Sequence, residues 1–494
     1  MTEPIYDMEA MESVRRSNYV ARTKDLGRRV LAIVEHPCND QRQTPPTTRS
    51  ALSVLADGSQ APMSTSKAGD SRRKIIEEIG TARIHYSSIL EKSLLQSQPD
   101  AIAFAAMTHP ALHCGPRWVG IQSTYRLEKD LSADFFTLLG KMVDVWEKEP
   151  RQHNRKIHEV VDTHAMVIRN DRNPKNALRP DLFVRGTSSL FPSHSDSGKT
   201  PDWCSCVAVG EAKLHQGRNK MDTFGQLGTY AEQVFSAQEN RRFLQTFYFD
   251  DLHLVWCTFD RGGAVTGDAV DYHRDPWKLC ALVLHFLFEG KDLGLDPTIR
   301  YKDGFTLIST TPPPEIGGDA GEETCLRIPN ATYVVRRTLF QSTNIQGNGA
   351  IYWFVQRHDP RSEDEESWYI IKDSWVVNGC EFERGVYDWI GSALMQDTGQ
   401  GDPRQGVFSN GQGIAPLLFT HNVLFAGRVD SVSMNRPPGV NTPSEDNRIH
   451  TRAIFRTTAG AKLLDHFGSA LELLVAVRDA VQGALLSHRL SNQS

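Results

Sequence analysis

Two short apolar strand patterns that end in charged residues constrain the fold of this chain more than any other feature. The first is RPDLFVRG at residues 179–186, and the second is VAVGEAKL at residues 207–214. Each carries charge at the edge of an apolar run: Asp181 in the first, Glu211 and Lys213 in the second. A helical pattern follows directly. This order of strand, strand and helix predicts an α/β sheet with acids along one edge.

The two acids and the lysine are the residue types of a divalent metal site. Two carboxylates at neighbouring strand ends can share one Mg²⁺ or Mn²⁺ ion, because such cations prefer oxygen ligands. Lys213 comes two residues after Glu211 and therefore points to the same face of the strand. From there it can orient an attacking water and a scissile phosphate. We expect Asp181 and Glu211 to hold the metal.

The helix that follows the second strand adds two further side chains. Gln226 and Tyr230 are four residues apart, so the amide and the phenol lie on one helical face. The letters PD at 180–181 and EAK at 211–213 resemble the PD-(D/E)XK nuclease motif, and the Gln–Tyr pair resembles its RecB-like branch. The resemblance implies catalytic roles for five residues: Asp181, Glu211, Lys213, Gln226 and Tyr230.

Two alternatives stay open at this site. The two acids are equally explained as strand-end residues that pair with Arg179 and Lys213 and perform no chemistry. In addition, a helix usually supplies another acid to such nuclease sites, and the sequence does not decide between three candidates. They are Glu128, Asp134 and Asp144.

Hydrophobic periodicity places other elements around these strands. Residues 132–149 predict an amphipathic helix, and residues 156–167 predict a β-branched strand. Two more strands are predicted at residues 242–250 and 252–260. The predicted helix presents one apolar face, formed by Phe135, Leu138, Leu139, Met142, Val145 and Trp146.

Two breaks in composition divide the chain into domains. Residues 1–37 have helical spacing, whereas residues 38–74 are rich in Pro, Ser, Thr and Gln and predict a flexible linker. A second polar, Pro-rich break covers residues 309–324. We therefore expect a nuclease-like α/β domain over residues 75–308 and another domain over residues 325–494.

Several phrases of the chain resemble the fungal-type protein kinase-like family. They start with RPD and GEAK and continue in family order with QLGTYAEQVFSAQENRRF, FDRGGAV, LGLDPTI, IIKDSW and ELLVAVRDAV. The resemblance runs from about residue 120 to the C-terminus. It implies a nuclease-like α/β core followed by a diverged kinase N-lobe with a mostly antiparallel sheet, which is a mixed α+β fold overall.

The second domain can be compared with a kinase N-lobe residue by residue. A kinase needs a glycine turn over the ATP phosphates, a strand lysine, and a helix acid that pairs with the lysine. Gly347 and Gly349 supply the turn, and Lys372 ends the apolar run WYII. Glu383 (or Glu381) opens the next predicted helix. An ordinary hairpin and an exposed Lys–Glu pair worth under about 1 kcal/mol explain the same residues equally well.

Phosphoryl transfer also needs acids that hold Mg²⁺ and face the substrate hydroxyl, normally in HRDxxxxN and DFG motifs. Here His488 and Arg489 are followed by Leu490, which neither accepts a proton nor binds metal, and no such motif follows. We therefore expect weak ATP binding at most and no kinase activity, so the second domain is interpreted as a pseudokinase.

Composition limits the partners that the chain attracts. A formal net charge of −5 gives no general attraction for nucleic acid or an anionic membrane. The longest apolar run, residues 279–288, is too short to span a bilayer, and the N-terminus lacks the apolar region of a signal peptide. With eight scattered cysteines, the chain is expected to be intracellular, either cytoplasmic or nuclear.

Three functions stay open from the sequence. The first is an ATP-dependent protein kinase, by family resemblance. The second is a metal-dependent nuclease or nucleic-acid-binding protein that uses the predicted acids and lysine. The third is a pseudoenzyme scaffold that binds a protein partner not identified by the sequence. Substrate and biological process do not follow from these residues.

Overall fold

The computed structural model of the protein describes residues 65–80, 84–87, 109–148, 158–168, 170, 178–192, 201–215, 220–287, 293–310, 331–358, 368–378, 417–437 and 439–457. All of these residues lie in the compact unit Ala61–Ser494. The predicted helix over residues 1–37, the two candidate acids Glu381 and Glu383, and the phrase ELLVAVRDAV lie outside the described residues.

The helices in chain order are α1 (Thr65–Ile79), α2 (Glu128–Glu147), α3 (Lys220–Ala237), α4 (Pro276–Leu287) and α5 (Val432–Asn435). The strands are β1 (Ile84–Ser87), β2 (His113–Cys114), β3 (Arg117–Trp118), β4 (Glu159–Asp162), β5 (Leu182–Arg185), β6 (Cys206–Ala212), β7 (Phe243–Phe249), β8 (His253–Asp260), β9 (Gly263–Gly267), β10 (Val270–Asp271), β11 (Ile299–Lys302), β12 (Phe305–Ser309), β13 (Thr332–Gln341), β14 (Ile351–Arg357), β15 (Trp368–Val377), β16 (Leu417–Asn422), β17 (Leu424–Phe425), β18 (Arg428–Val429) and β19 (Arg448–Arg456).

The first large sheet has the strand order β1-β9-β8-β7-β6-β5-β4, and β10 pairs with β8. Strands β6 and β7 are parallel, and α3 forms the crossover that a parallel pair requires. Every residue of β6 is buried. A strand covered on both faces needs apolar side chains on both, which explains its continuous apolar run.

Helices cover both faces of this sheet. One core joins α2 and α4 to the face that contains Leu182 and Val184. The other core joins α1 and α3 to the opposite face, which contains Phe183. Gly228 in α3 lets α1 approach closely, because a Cβ there would lie 2.4 Å from Ile75 Cγ2. The result is a three-layer α/β/α arrangement that fixes the edges of β5 and β6.

The second large sheet is antiparallel throughout, with the order β11-β12-β13-β14-β15-β19-β16. Its core includes Trp353, Ile371 and Ile454, which are fully buried. The sheet starts at Ile299, ten residues before the composition break that begins at residue 309. Strands β11 and β12 belong to this sheet because β12 pairs with β13. Composition alone does not show which sheet a strand joins.

The structure confirms the mixed α+β class with open, mostly antiparallel sheets. The helix predicted at residues 132–149 is α2, and its apolar face is buried against the first sheet. Among the described residues, no helix is long and apolar enough to cross a bilayer.

The segment predicted as a linker over residues 38–74 differs from the structure at its end, where residues 65–74 are helical as part of α1. Gly69 and Asp70 are exposed, which accounts for the polar composition of this half of the helix. Further along α1, Arg72 pairs with Asp222 of α3 at 2.6 Å, and Ile75 is buried. Tertiary packing of one end therefore supports a helix that composition alone does not indicate.

Candidate functional site: a carboxylate–lysine cluster on the first sheet

Asp181, Glu211 and Lys213 lie together at one edge of the first sheet. Asp181 directly precedes β5, and β5 pairs with β6 so that Leu182 lies opposite Gly210. The Ala212 N–H donates to Asp181 Oδ2 at 2.8 Å. Lys213 Nζ lies 2.9 Å from Glu211 Oε1. Antiparallel pairing brings the start of β5 to the end of β6, and this brings the two acids and the lysine together.

The two side chains predicted on the helix reach the same carboxylate. Tyr230 Oη donates to Glu211 Oε2 at 2.9 Å, and Gln226 Nε2 donates to Glu211 Oε1 at 2.5 Å. Because a carboxylate only accepts hydrogen bonds, it fixes which way the Gln226 amide points. Among the residues that the structure describes, Gln226 Oε1 then has no hydrogen-bond partner, although it is buried. A cation, a water or a substrate donor would satisfy this oxygen.

The structure selects Glu128 from the three candidate acids of α2. Glu128 is the first residue of the helix, and its Oε2 lies 3.5 Å from Lys213 Nζ. Asp134 instead accepts a hydrogen bond from Tyr125 Oη at 2.7 Å. Asp144 is exposed, as Glu128 is, but within the described part of the chain it makes no ion pair with Lys213. We call the four charged residues Asp181, Glu211, Glu128 and Lys213 the carboxylate–lysine cluster.

The carboxylate–lysine cluster carries more negative than positive charge, and the pKa of Asp181 reflects this. Burial and the charge of Glu211 raise that pKa from 3.8 to about 8, although the Ala212 N–H and Lys213 oppose the rise. The pKa of Lys213 is also raised, because Glu211 and Glu128 outweigh the lowering effect of burial. A bound cation would favour the ionised form of Asp181 over the protonated form that burial and the charge of Glu211 stabilise.

The donor set of the carboxylate–lysine cluster fits a hard divalent cation. Asp181 uses only Oδ2 to accept from Ala212, and within the part of the chain that the structure describes no donor contacts Oδ1. Together with Glu211 and the unpaired Gln226 Oε1, this gives carboxylate and amide oxygens on one side of the sheet edge. Mg²⁺ and Mn²⁺ take such oxygen ligands.

Backbone N–H groups at the predicted glycine turn donate hydrogen bonds to other residues of the protein. Gly347 and Gly349 have φ values of +109° and +48°, conformations that favour glycine. The Ile345 N–H donates to Glu78 Oε1 at 2.8 Å, and the Gly347 N–H donates to the Arg261 carbonyl at 3.1 Å. A Cβ on Gly349 would lie 2.5 Å from Arg261 Nε. Two N–H groups at this turn, those of Ile345 and Gly347, therefore already have acceptors.

Lys372 lies in β15, where it is half-buried. Its register partner on β14 is Tyr352, and Lys372 Nζ lies 5.8 Å from the centre of that ring. The predicted partner acids of Lys372 lie outside the described residues. The role of this lysine and of the glycine turn in binding ATP stays a prediction.

The sequence did not reveal a buried ionic network that joins the two sheets. We define this interlayer network as Arg242, Asp296, Asp373, Asp430, His450 and Arg452, all of which are buried. Arg452 Nη2 lies 2.9 Å from Asp296 and Arg452 Nε lies 2.9 Å from Asp373. Asp430 accepts from Arg242 at 2.8 Å and lies 2.9 Å from His450 Nδ1.

Charge is balanced in the interlayer network, which has three acids and three basic side chains. The pKa of His450 is raised to about 9, because the charges of Asp373 and Asp430 and hydrogen bonds to both outweigh the effect of burial. Burial raises the pKa of an acid, but the basic neighbours outweigh it at both carboxylates. His450 and Arg452 hold the pKa of Asp373 well below its ordinary value. Arg242 and His450 do the same for Asp430. Such a network orders the contact between the sheets.

One signal in the sequence could have marked part of the interlayer network. Arg242, Asp296 and Asp373 lie in the phrases QENRRF, LGLDPTI and IIKDSW, which carry the family resemblance. Arg242 and Asp430, however, are 188 residues apart. Pairings over such separations have no periodicity to reveal them.

Residues 179–386 of this chain match the model of the fungal protein kinase family. This match confirms the family resemblance found in the sequence, and it spans all residues predicted for the two sites, from Asp181 to Glu383. The nuclease-like character of the first sheet is not shown by this fungal protein kinase match. No curated protein matches the chain.

Proposed function

We propose that this protein is a metal-dependent phosphodiester hydrolase that acts on nucleic acid through the carboxylate–lysine cluster. The observation that supports it is the meeting of three carboxylates around one lysine, with a raised pKa at Asp181. Uncompensated acids are costly in a folded protein, and strongly perturbed carboxylates concentrate at functional sites.

The residues of the cluster would have distinct roles. Asp181 and Glu211 would hold Mg²⁺ or Mn²⁺, which supplies Lewis acidity and lowers the pKa of a bound water when present. Lys213 would donate to a phosphate oxygen, and Glu128 keeps the lysine charged and directed toward the cluster. Gln226 and Tyr230 fix the orientation of the Glu211 carboxylate. Such outer contacts are needed to keep a site preorganised.

Cleavage assays on DNA and RNA with Mg²⁺, Mn²⁺ or a chelator test the proposal. We expect metal-dependent cleavage that Asp181→Asn abolishes, since this change keeps the shape of the side chain and removes its charge. Asp144→Asn is the matched control, because Asp144 is an exposed acid outside the cluster. Lys213→Ala should lower the rate more than the Mn²⁺ affinity.

Calorimetry separates an inactive site from a wrong proposal. Mn²⁺ binding that Asp181→Asn removes, without cleavage, would support a metal-binding module that lacks the hydrolase activity. Cleavage that survives in Asp181→Asn, or the absence of both cleavage and Mn²⁺ binding, would contradict the proposed site.

The family match favours a second function, that of an ATP-dependent protein kinase. We propose that the kinase-like region is a pseudokinase that acts by binding a protein partner. The support is the glycine turn, whose N–H groups already donate to Glu78 and Arg261. Phosphate would have to displace these acceptors, so ATP binding should be weak.

Autophosphorylation with labelled ATP and Mg²⁺ tests this second proposal. We expect no incorporation in the wild type and the same result in Lys372→Met. Incorporation that Lys372→Met abolishes would show a working kinase and overturn the pseudokinase interpretation. Glu78→Gln should strengthen binding of a fluorescent ATP analogue, since it weakens the competing anion.

A further inference from the structure

A second group of ligand-type side chains lies at the same edge of the first sheet. His215 comes three residues after β6, Asp250 directly follows β7, and His253 begins β8. Strands β6 and β7 are parallel, so their C-terminal ends meet at one edge. The Lys213 N–H, which donates to the Phe249 carbonyl at 2.9 Å, joins the two strand ends. Residues from three segments therefore come together there.

The spacing of the three side chains suits a small metal ion. One ligand atom from each of His215, Asp250 and His253 lies within 4.8 Å of the other two. His215 Nδ1 lies 3.1 Å from Asp250 Oδ2, and His253 Nδ1 lies 3.5 Å from Asp250 Oδ1. A tetrahedral zinc site with bonds of about 2.0–2.1 Å has ligand atoms about 3.3–3.4 Å apart.

The carboxylate is anchored, whereas the imidazoles reach solvent. The side chain of Asp250 is 0% exposed, and its Oδ1 accepts from the Leu252 N–H at 2.9 Å. The side chains of His215 and His253 are 57% and 26% exposed, and their rings stack with centroids 5.7 Å apart. The carboxylate is therefore fixed by the fold, and both imidazoles are accessible from solvent.

We propose that His215, Asp250 and His253 bind one Zn²⁺ ion. Two imidazole nitrogens and one carboxylate favour zinc and related transition metals over Mg²⁺, which prefers oxygen ligands. Three protein ligands with an open position are the pattern of accessible zinc sites. The ion would tie the segment after β6 to the turn between β7 and β8, two residues from Lys213. This site does not depend on the proposed hydrolase.

Zn²⁺ titration by calorimetry on the full chain tests the site. The background is Cys114→Ser, because Cys114 is an exposed thiol that can bind zinc. We expect His215→Ala and His253→Ala to weaken the tight Zn²⁺ event at least roughly tenfold, since losing even an outer partner of a zinc ligand costs that much. Circular dichroism checks that each variant is folded.

Two control variants test whether the loss of Zn²⁺ binding is specific to the proposed site. His164→Ala removes an exposed imidazole that pairs with a single carboxylate, Asp162, at 2.6 Å, and it should leave the tight event unchanged. Asp181→Asn should remove Mn²⁺ binding at the carboxylate–lysine cluster while Zn²⁺ binding persists. This separates failure of the zinc site from failure of the proposed function.

Absorption spectra with Co²⁺ in place of Zn²⁺ provide a second measurement. A site of two nitrogens and one oxygen should give d–d bands without a thiolate charge-transfer band. Folded His215→Ala that keeps wild-type Zn²⁺ affinity and the same Co²⁺ bands would overturn the proposal.

Discussion

The carboxylate–lysine cluster and the interlayer network use the same kinds of side chain with opposite electrostatic results. In the cluster Glu211 and Glu128 both pair with Lys213, and the pKa of the neighbouring Asp181 rises to about 8. In the network three acids meet three basic groups, and the pKa values of Asp373 and Asp430 lie well below the ordinary range. Every residue of the network is buried, as is Glu211, and the Lys213 side chain is only 14% exposed, whereas the Glu128 side chain is 45% exposed.

The difference shows that charge balance, and not burial alone, separates the two regions. Desolvation raises the pKa of an acid in both places, and in the network the charges and hydrogen bonds of neighbouring basic groups reverse the shift. A network with balanced charge can be buried where two sheets pack, because each acid has a basic partner. The cluster has one lysine for three carboxylates, and burial beside Glu211 favours the protonated form of Asp181 unless a further cation binds.

The largest effect is expected from breaking the balance of the interlayer network. Arg452→Met leaves Asp296 and Asp373 buried without their main partner, which should lower the free energy of unfolding by about 3–5 kcal/mol. Arg456→Met is the control on the same strand, because Arg456 is exposed and should cost under about 1 kcal/mol. Urea unfolding measures both, and equal losses would contradict the contrast.

A smaller, pH-dependent effect is expected at His450. Its pKa in the folded protein, about 9, lies above the ordinary 6.5, so its contribution is complete below pH 6.5 and is lost as the pH rises through about 9. The stability difference between the wild type and His450→Gln should therefore shrink between pH 6.5 and 9.5. Thermal unfolding across this range tests it, and a difference that grows with pH would contradict the pairing.

The smallest effect has the opposite sign and comes from the carboxylate–lysine cluster. The folded pKa of Asp181 lies above 3.8, so its ionisation increasingly disfavours folding as the pH rises from about 4 to 8. Asp181→Asn keeps an acceptor for the Ala212 N–H and should raise Tm at pH 8 by a few degrees, with little change at pH 4. Saturating Mn²⁺ should reverse the order by stabilising only the wild type. A lower Tm for Asp181→Asn at pH 8 without metal would show that the ionised Asp181 carboxylate stabilises the fold, as the acids of the interlayer network do.

Sequence patterns located much of the first sheet and its candidate site. Sequence patterns identified β5, β6 and α3, and the spacing of Gln226 and Tyr230 placed both on one face of the helix. The structure turns this face toward Glu211. These features are local, because strand and helix periods act over a few residues. The choice of Glu128 over Asp134 and Asp144 needed the packing of α2 against the sheet, which no local pattern encodes.

What the sequence by itself determined is therefore the type of several elements, the resemblance to the fungal protein kinase family over residues 179–386, and the acids and lysine at the edges of two neighbouring strands. Only the tertiary structure decided which distant charges meet, as in the pairing of His450 with Asp373, 77 residues apart, or of Glu78 with the glycine turn. The physical reason is that a pKa and an ion pair depend on distance and burial in space. Distance and burial are set only when the two sheets and their helices pack, so the order of residues in the sequence does not give them.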